Sequence, residues 1–372
     1  MTKIKVGIVS TNRADIGLLD STLQETRHAR GITWHLILSG DVLSSANKAV
    51  VKRVAAYGPS LRKVPISLKN KTNKDISQAF AEAFQKATKL YLKEKYTAVL
   101  ITGDRFEMYA FALAAFFLKI KVLHLHAGEE TLGAIDNVFR HSISLFADAH
   151  FCSTPSYARR VQELKKDAHQ VRVVGAPSLD GLRDFEVMTK AQFEDYTKFN
   201  LDAPTALVTF HPETYAENLQ GNLREFVKAL ESLKIKFIVT ASNVDEGGDL
   251  YNQELKKFCT RDTKNRVFIN SLGKLGYFSA LKYVDVMLGN SSSGIIEAAA
   301  FKLPVVNVGR RQEGRYQTKN IFNAKNTRSS IQSAAKKALK TGKRNVSNPY
   351  VLRSRSAPLI VSGIVQALKG SK

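Results

Sequence analysis

Cysteine is almost missing from the chain: of 372 residues only Cys152 and Cys259 are cysteines. That excludes a disulfide framework and a four-thiolate zinc site, and it fits a reducing cytoplasm, the expected location. Long apolar runs are also lacking. The greasiest stretch, Met108 to Leu118, is roughly half of the 20 or so residues that a bilayer crossing needs, and Lys119 and Lys121 follow it. It reads as a buried helix, and no membrane partner is expected. The opening MTKIKVGIVS passes straight into a strand-like run without a signal-peptide core or cleavage site, so no export is expected. Acids are scarce beside bases, 33 against 56, for a net charge of +23. The basic residues are spread along the chain without an arginine-rich arm, so the charge reads as solvated lysine faces and no nucleic-acid partner is expected.

What is present is a large apolar fraction, 44%, in a chain long enough that two cores are the default. Ile4 to Ser10, Trp34 to Ser39, Ala98 to Thr102, Val122 to His126, Ala149 to Ser153 and Val171 to Gly175 are short, largely unalternating apolar runs. Such runs are strands covered on both faces. Helical spacing lies between them, as in Ile76 to Leu92, where Ile76, Phe80, Phe84 and Leu92 can share a face. After a polar stretch beyond Pro177 the pattern restarts with Ala206 to Phe210, Lys236 to Ala241, Arg266 to Ile269, Val284 to Gly289 and Val305 to Val308. The fold class is α/β, with two Rossmann-like domains, 1–180 and 181–350, facing a cleft, and a helical segment 351–372 packing across them.

Chemistry collects where strands end. LGNSSSGIIEAAAF runs from a strand through small residues into a helix: Ser291, Ser292, Ser293, Gly294 and the helix amides suit a phosphate, and Glu297 suits ribose hydroxyls. An ordinary serine N-cap accounts equally for the same letters. NVGRRQEGR adds three arginines, among them Arg311, whose forks match phosphate oxygens. In the first half, STNRADIG places Arg13 after a strand, with Asp15 as a cap or as the partner of Arg13. ITGDRFEMYA places Asp104 and Arg105 after another strand. HLHAGEETLGAIDNVFRH is the densest titratable stretch, with His124 and His126 on one strand face, then Glu129, Glu130 and Asp136, and Arg140 and His141 on the next helix. Two histidines and a carboxylate are possible metal ligands, but no second histidine cluster supports them, and a satisfied core histidine accounts for His124. FHPET sets His211 at a strand end, and TASNVDEGG places Asn243 after the next strand.

Taken in order, GDRFE, HLHAGEETLGAIDNVFRHSI, FHPET, SNVD, GNSSSGIIEA and GRRQEGR resemble the hydrolysing UDP-N-acetylglucosamine 2-epimerases over nearly the whole chain. The resemblance implies the two-domain GT-B fold, a UDP-sugar substrate, a homodimer and release of UDP with inversion at carbon 2, giving a free mannosamine sugar or, in a bacterial branch, a diacetamido sugar. It implies no cofactor and no metal. By matched position, Asp104, Glu129 and Asp136 are the implied acid/base carboxylates and His211 a catalytic histidine. Arg13, Arg105, His126, Arg140, Asn243, Ser291, Ser292, Ser293, Gly294, Glu297 and Arg311 are the implied UDP-sugar contacts. His126 stands where some relatives carry glutamate, Ala127 where glycine is usual, and Asn137 where a second acid is common. A GT-B glycosyltransferase would share the fold and the UDP site without needing the acid-rich 124–141 segment. A silent nucleotide-sugar sensor or a basic nucleic-acid binder would bind without turnover.

Overall fold

The computed structural model of the chain describes residues 4–68, 72–182, 185–213, 218–242 and 247–369. It divides into two units, one of Met1–Glu129, Asp136–Leu182 and Pro349–Lys372, the other of Glu130–Ile135 and Arg183–Asn348. The short piece 130–135, from within the acid-rich segment, thus packs with the second unit although its flanks belong to the first.

In the first unit β1 (Ile4–Ser10), β2 (Ile32–Ser39), β3 (Ser60–Val64), β4 (Ala98–Thr102), β5 (Lys121–Leu125), β6 (Ala149–Cys152) and β7 (Val171–Val173) form one sheet in the order 3-2-1-4-5-6-7. Every pairing is parallel. Alternation sends Ala98 and Leu100 into one apolar cluster and Val99 and Ile101 into another, so both faces are covered, as a parallel sheet requires. The covering helices include α1 (Arg13–Glu25), α2 (Lys48–Ala55), α3 (Asn73–Glu94), α4 (Phe106–Phe117), α5 (Asp136–Phe146) and α6 (Pro155–Leu164). The buried stripe of α3 is Ala79, Ala83, Ala87 and Tyr91, not the expected face of Ile76, Phe80, Phe84 and Leu92; Leu92 is 60% exposed. Alanines at every fourth position bring α3 close to α4, and the larger side chains fall to the flanks. Most of α4 is buried, as its composition requires, but Phe116 and Phe117 at its end are exposed.

The second unit repeats the plan. After α7 (Lys190–Thr197), β8 (Thr205–Thr209), β9 (Lys236–Thr240), β10 (Arg266–Ile269), β11 (Val286–Gly289), β12 (Val305–Val308) and β13 (Ile321–Ala324) form a parallel sheet in the order 10-9-8-11-12-13. Its helices are α8 (Leu219–Glu231), α9 (Gly248–Thr260), α10 (Gly273–Tyr283), the short α11 (Ser292–Ile296) and α12 (Arg328–Thr341). The final helix α13 (Ser356–Lys369) returns to the first unit, where Ile360, Val361, Ile364 and Ala367 join the cluster of β1, β2 and α1. In both sheets the strand order reverses beside the first strand, between β1 and β4 and between β8 and β11. There helices leave in opposite directions and the strand ends are open to a ligand. Among the described residues no helix is long and apolar enough to cross a membrane.

Candidate functional site

In the first unit the chain leaves β1 through Thr11 and Asn12. The Asn12 side chain accepts the Asp15 N–H at 2.9 Å, and the Asp15 carboxylate accepts from the backbone N–H groups of Thr11 and Asn12 and from the Thr11 hydroxyl. This capping box fixes the turn, and Asp15 serves as its cap. Burial pushes the Asp15 carboxyl up to about 6, against the pull of these hydrogen bonds and of the Arg105 charge. Arg13 is exposed at the first position of α1.

After β4, Gly103 turns the chain with φ +75° and Asp104 follows. Asp104 accepts a hydrogen bond from Nη2 of Arg140, a buried residue one turn into α5, the helix that Asp136 opens. Arg105 is held by the buried carboxylate of Glu107 at 3.2 Å.

The two histidines at the end of β5 do not share a strand face, contrary to expectation. His124 lies on β5, wholly buried; its Nε2 donates to the Gly103 carbonyl at 2.8 Å and its Nδ1 accepts from the Ser144 hydroxyl of α5 at 3.0 Å. Both nitrogens are satisfied within the core, and burial pushes the imidazole down to about 3. His126 lies one residue beyond the strand with a left-handed backbone, φ +64°, which turns it away from the β5 alternation. Its Nδ1 faces Oε1 of Glu129 at 2.7 Å, and the hydroxyl of Ser153, just past β6, donates to the same oxygen. Ser153 Oγ is also 3.2 Å from His126 Nδ1. Ser, His and Glu thus form one buried cluster. Among the described residues no three His, Cys, Asp or Glu side chains are arranged to hold a metal ion.

In the second unit Asn290 is the hub. Its Oδ1 accepts the His211 N–H at 2.7 Å and its Nδ2 donates to the His211 carbonyl at 2.8 Å, while its own N–H donates to Thr209. Its carbonyl accepts from Nη1 of Arg311 at 3.2 Å and from Nε2 of Gln312 at 2.8 Å. One asparagine therefore ties together the ends of β8, β11 and β12. The His211 ring is buried, with Nδ1 3.2 Å from the Ser242 hydroxyl.

Ser291 caps α11 by accepting the Ser293 N–H, so the ordinary capping reading applies to it. The Ser293 hydroxyl bonds those of Ser291 and Tyr277. Burial and the charge of Glu297 push the Tyr277 phenol above its usual range, which keeps it a neutral hydroxyl under the serine loop. Glu297 is the C-cap of α11, a helix of 5 residues, shorter than the sequence pattern suggests; Ser292 and Gly294 lie within it. The buried Glu213 carboxylate accepts the Arg310 N–H at 2.9 Å, and an added Cβ on Gly309 would sit 1.8 Å from it. Segment 130–135 lies on this same loop: the Leu132 N–H donates to the Glu313 carbonyl at 3.0 Å, and a Cβ on Gly133 would meet the Arg310 carbonyl oxygen at 2.6 Å.

The structure thus joins Asp104 to Arg140, Glu129 to His126, and His211 to Arg311 through Asn290. Asn243 lies outside the described residues. Sequence reasoning did not single out Ser153, Glu213, Tyr277, Asn290 or Gln312. Glu213, Asn290 and Gln312 stand inside quoted motifs and Ser153 ends a strand run, which was the available signal; Tyr277 carried none.

Residues 24–364 match the protein family described as UDP-N-acetylglucosamine 2-epimerase. The chain is 33% identical over 326 residues to the GDP/UDP-N,N'-diacetylbacillosamine 2-epimerase (hydrolyzing) of Campylobacter jejuni, covering 87% of this chain and 85% of that one. It is 31% identical over 348 residues to the UDP-N,N'-diacetylbacillosamine 2-epimerase (hydrolyzing) of Legionella pneumophila, covering 93% and 92%. Among solved structures, the UDP-GlcNAc 2-epimerase of Neisseria meningitidis bound to UDP-GlcNAc superposes with a TM-score of 0.81 at 16% identity, over 98% of this chain and 100% of that one. At that identity the likeness speaks for the fold.

Proposed function

Because the chain belongs to the UDP-N-acetylglucosamine 2-epimerase family, we propose that it is a hydrolysing member. It converts UDP-N-acetylglucosamine, or a UDP-diacetamido-trideoxy sugar, and water to UDP and the free 2-epimeric sugar through a 2-acetamidoglucal. The product class feeds sialic- or legionaminic-type acid synthesis. The scarcity of cysteine supports a cytoplasmic setting, and the family resemblance supports a homodimer.

The observation that carries the reading is the acid-rich segment itself, with Glu129 clustered with His126 and Ser153 and Asp104 paired with Arg140. A transferase that hands its sugar to an acceptor has no need of such a set. Breaking the bond between carbon 1 and oxygen puts negative charge on the diphosphate. Arg311 and the Ser291–Gly294 turn supply a guanidinium and helix amides for that charge, and both gain most as it develops. Arg13 is a further cation for the same group. As carbon 1 becomes oxocarbenium-like, the hydrogen on carbon 2 becomes removable by a nearby base, and carboxylates at different positions divide the acid and base roles of elimination and hydration. Asp136 completes the acid set, and His211 stands on the UDP side.

The test is to incubate the protein with UDP-N-acetylglucosamine in heavy water without any acceptor. Release of UDP together with a mannosamine sugar carrying deuterium at carbon 2 is the expected result. UDP release only after an acceptor is added would sink the reading and mark a transferase.

A further inference from the structure

His126 combines two features that no other residue of the first unit's candidate site combines. Its backbone is left-handed, a conformation that residues with a side chain adopt at a cost and that clusters at functional positions. Its Nε2 is buried with no hydrogen-bond partner among the described residues, in a residue 5% exposed. A buried polar nitrogen without a partner is costly and therefore rare. The other ring nitrogen is fully used: Nδ1 faces Glu129 Oε1 at 2.7 Å, with Ser153 on the same oxygen. A carboxylate accepts only, so the Nδ1 hydrogen points at it, and whenever the ring is neutral the lone pair is on Nε2. Carboxylate, imidazole and an open Nε2 lone pair are the parts of an oriented base, in which the acid holds the ring and offsets its charge once it is protonated.

We propose that His126, not Glu129, carries the proton at carbon 2, and that Glu129 and Ser153 are the positioning residues that hold the imidazole. The inference rests on the proposed epimerase reaction and refines which group performs its first step. The carbon 2 hydrogen leaves as a proton to Nε2. Its bonding pair becomes the second bond between carbons 1 and 2, and the pair of the carbon 1 to oxygen bond departs with UDP. The products of the step are UDP, the 2-acetamidoglucal and an imidazolium facing the Glu129 carboxylate. Reaching the sugar requires Nε2 to become accessible when substrate is bound.

The experiment compares wild type with His126→Ala and His126→Gln for UDP release, deuterium entry at carbon 2 in heavy water, and UDP affinity by calorimetry. His126→Ala is expected to keep its UDP affinity while kcat falls by about a hundred- to ten-thousand-fold, the range of a lost acid/base group. Added imidazole is expected to restore part of the loss, following the free-base fraction of the imidazole. Should His126→Ala not fold, His126→Gln serves: the acidic limb of the wild-type kcat profile is expected to be absent from it. Wild-type kcat in either variant, loss without imidazole rescue in His126→Ala that binds UDP, or an unchanged acidic limb in His126→Gln would each overturn the assignment. A wild type that neither releases UDP nor exchanges the carbon 2 hydrogen would overturn the proposed reaction itself, whereas normal wild-type turnover with unaffected His126 variants overturns this inference alone.

Discussion

Asn290 spends every polar group it has on other strand ends, two on the backbone of His211, one on Thr209 and its carbonyl on Arg311 and Gln312. Asn290→Ala removes the two hydrogen bonds that its side chain makes to the buried His211 backbone, so a stability loss of about 2–4 kcal/mol is expected, read by urea unfolding. UDP affinity should fall in the same variant. Tyr277→Phe removes only the hydroxyl under Ser293; calorimetry should show UDP binding weakened by about 1 kcal/mol, with the unfolding midpoint nearly unchanged. For Asp104→Asn, whose carboxylate now faces Arg140, a kcat loss of about a hundred- to ten-thousand-fold is expected, and wild-type turnover would contradict its assignment. The positions of Asp104, Glu129, His211 and Arg311 past strand ends were legible because each follows a readable strand. Asn290 and Tyr277 were not, because their contacts exist only once segments separate in the chain are brought together. The pairing of His124 with His126 failed on one dihedral angle, which no spacing rule encodes.

Strands were readable as largely unbroken apolar runs, and these supplied β1, β2 and β4 to β12, with ends that agree or differ by one or two residues. The missed strands were β3, SLRKV, and β13, IFNA, both at sheet edges and both only partly buried. β7 and β10 are edge strands too and were read, so edge position alone does not hide a strand; β3 carries Arg62 and Lys63 and β13 carries Asn323, which break the apolar run. The detour of 130–135 into the second unit was equally silent, because it depends on Gly133 lying flat against the Arg310 carbonyl. Gly133→Ala should push this piece off the 310–313 loop. The expected outcome is a fall in kcat/KM of about tenfold or more, with an unfolding midpoint close to wild type, since the change touches positioning and not a core.

Two buried groups make the stability of the molecule depend on pH in opposite senses. The Asp15 carboxyl, raised from 3.8 to about 6, contributes stability that is complete below 3.8 and lost as pH rises through 6, about 3 kcal/mol at most. The His124 imidazole, lowered from 6.5 to about 3, contributes stability that is complete above 6.5 and lost as pH falls to 3, about 5 kcal/mol at most. His150, lowered by burial, adds to the second effect. Unfolding midpoints should therefore rise between pH 4 and 6.5; the rise should steepen in Asp15→Asn and flatten in His124→Gln. The return of α13 to the first unit bears on how the protein is made. Ile360, Val361, Ile364 and Ala367 close a cluster whose other members begin at Val6, so the first unit to leave the ribosome is the last able to complete its interior. Until α13 has been made, α1 and α2 cover that sheet face without it, whereas the later unit holds nearly all of its residues within one continuous stretch.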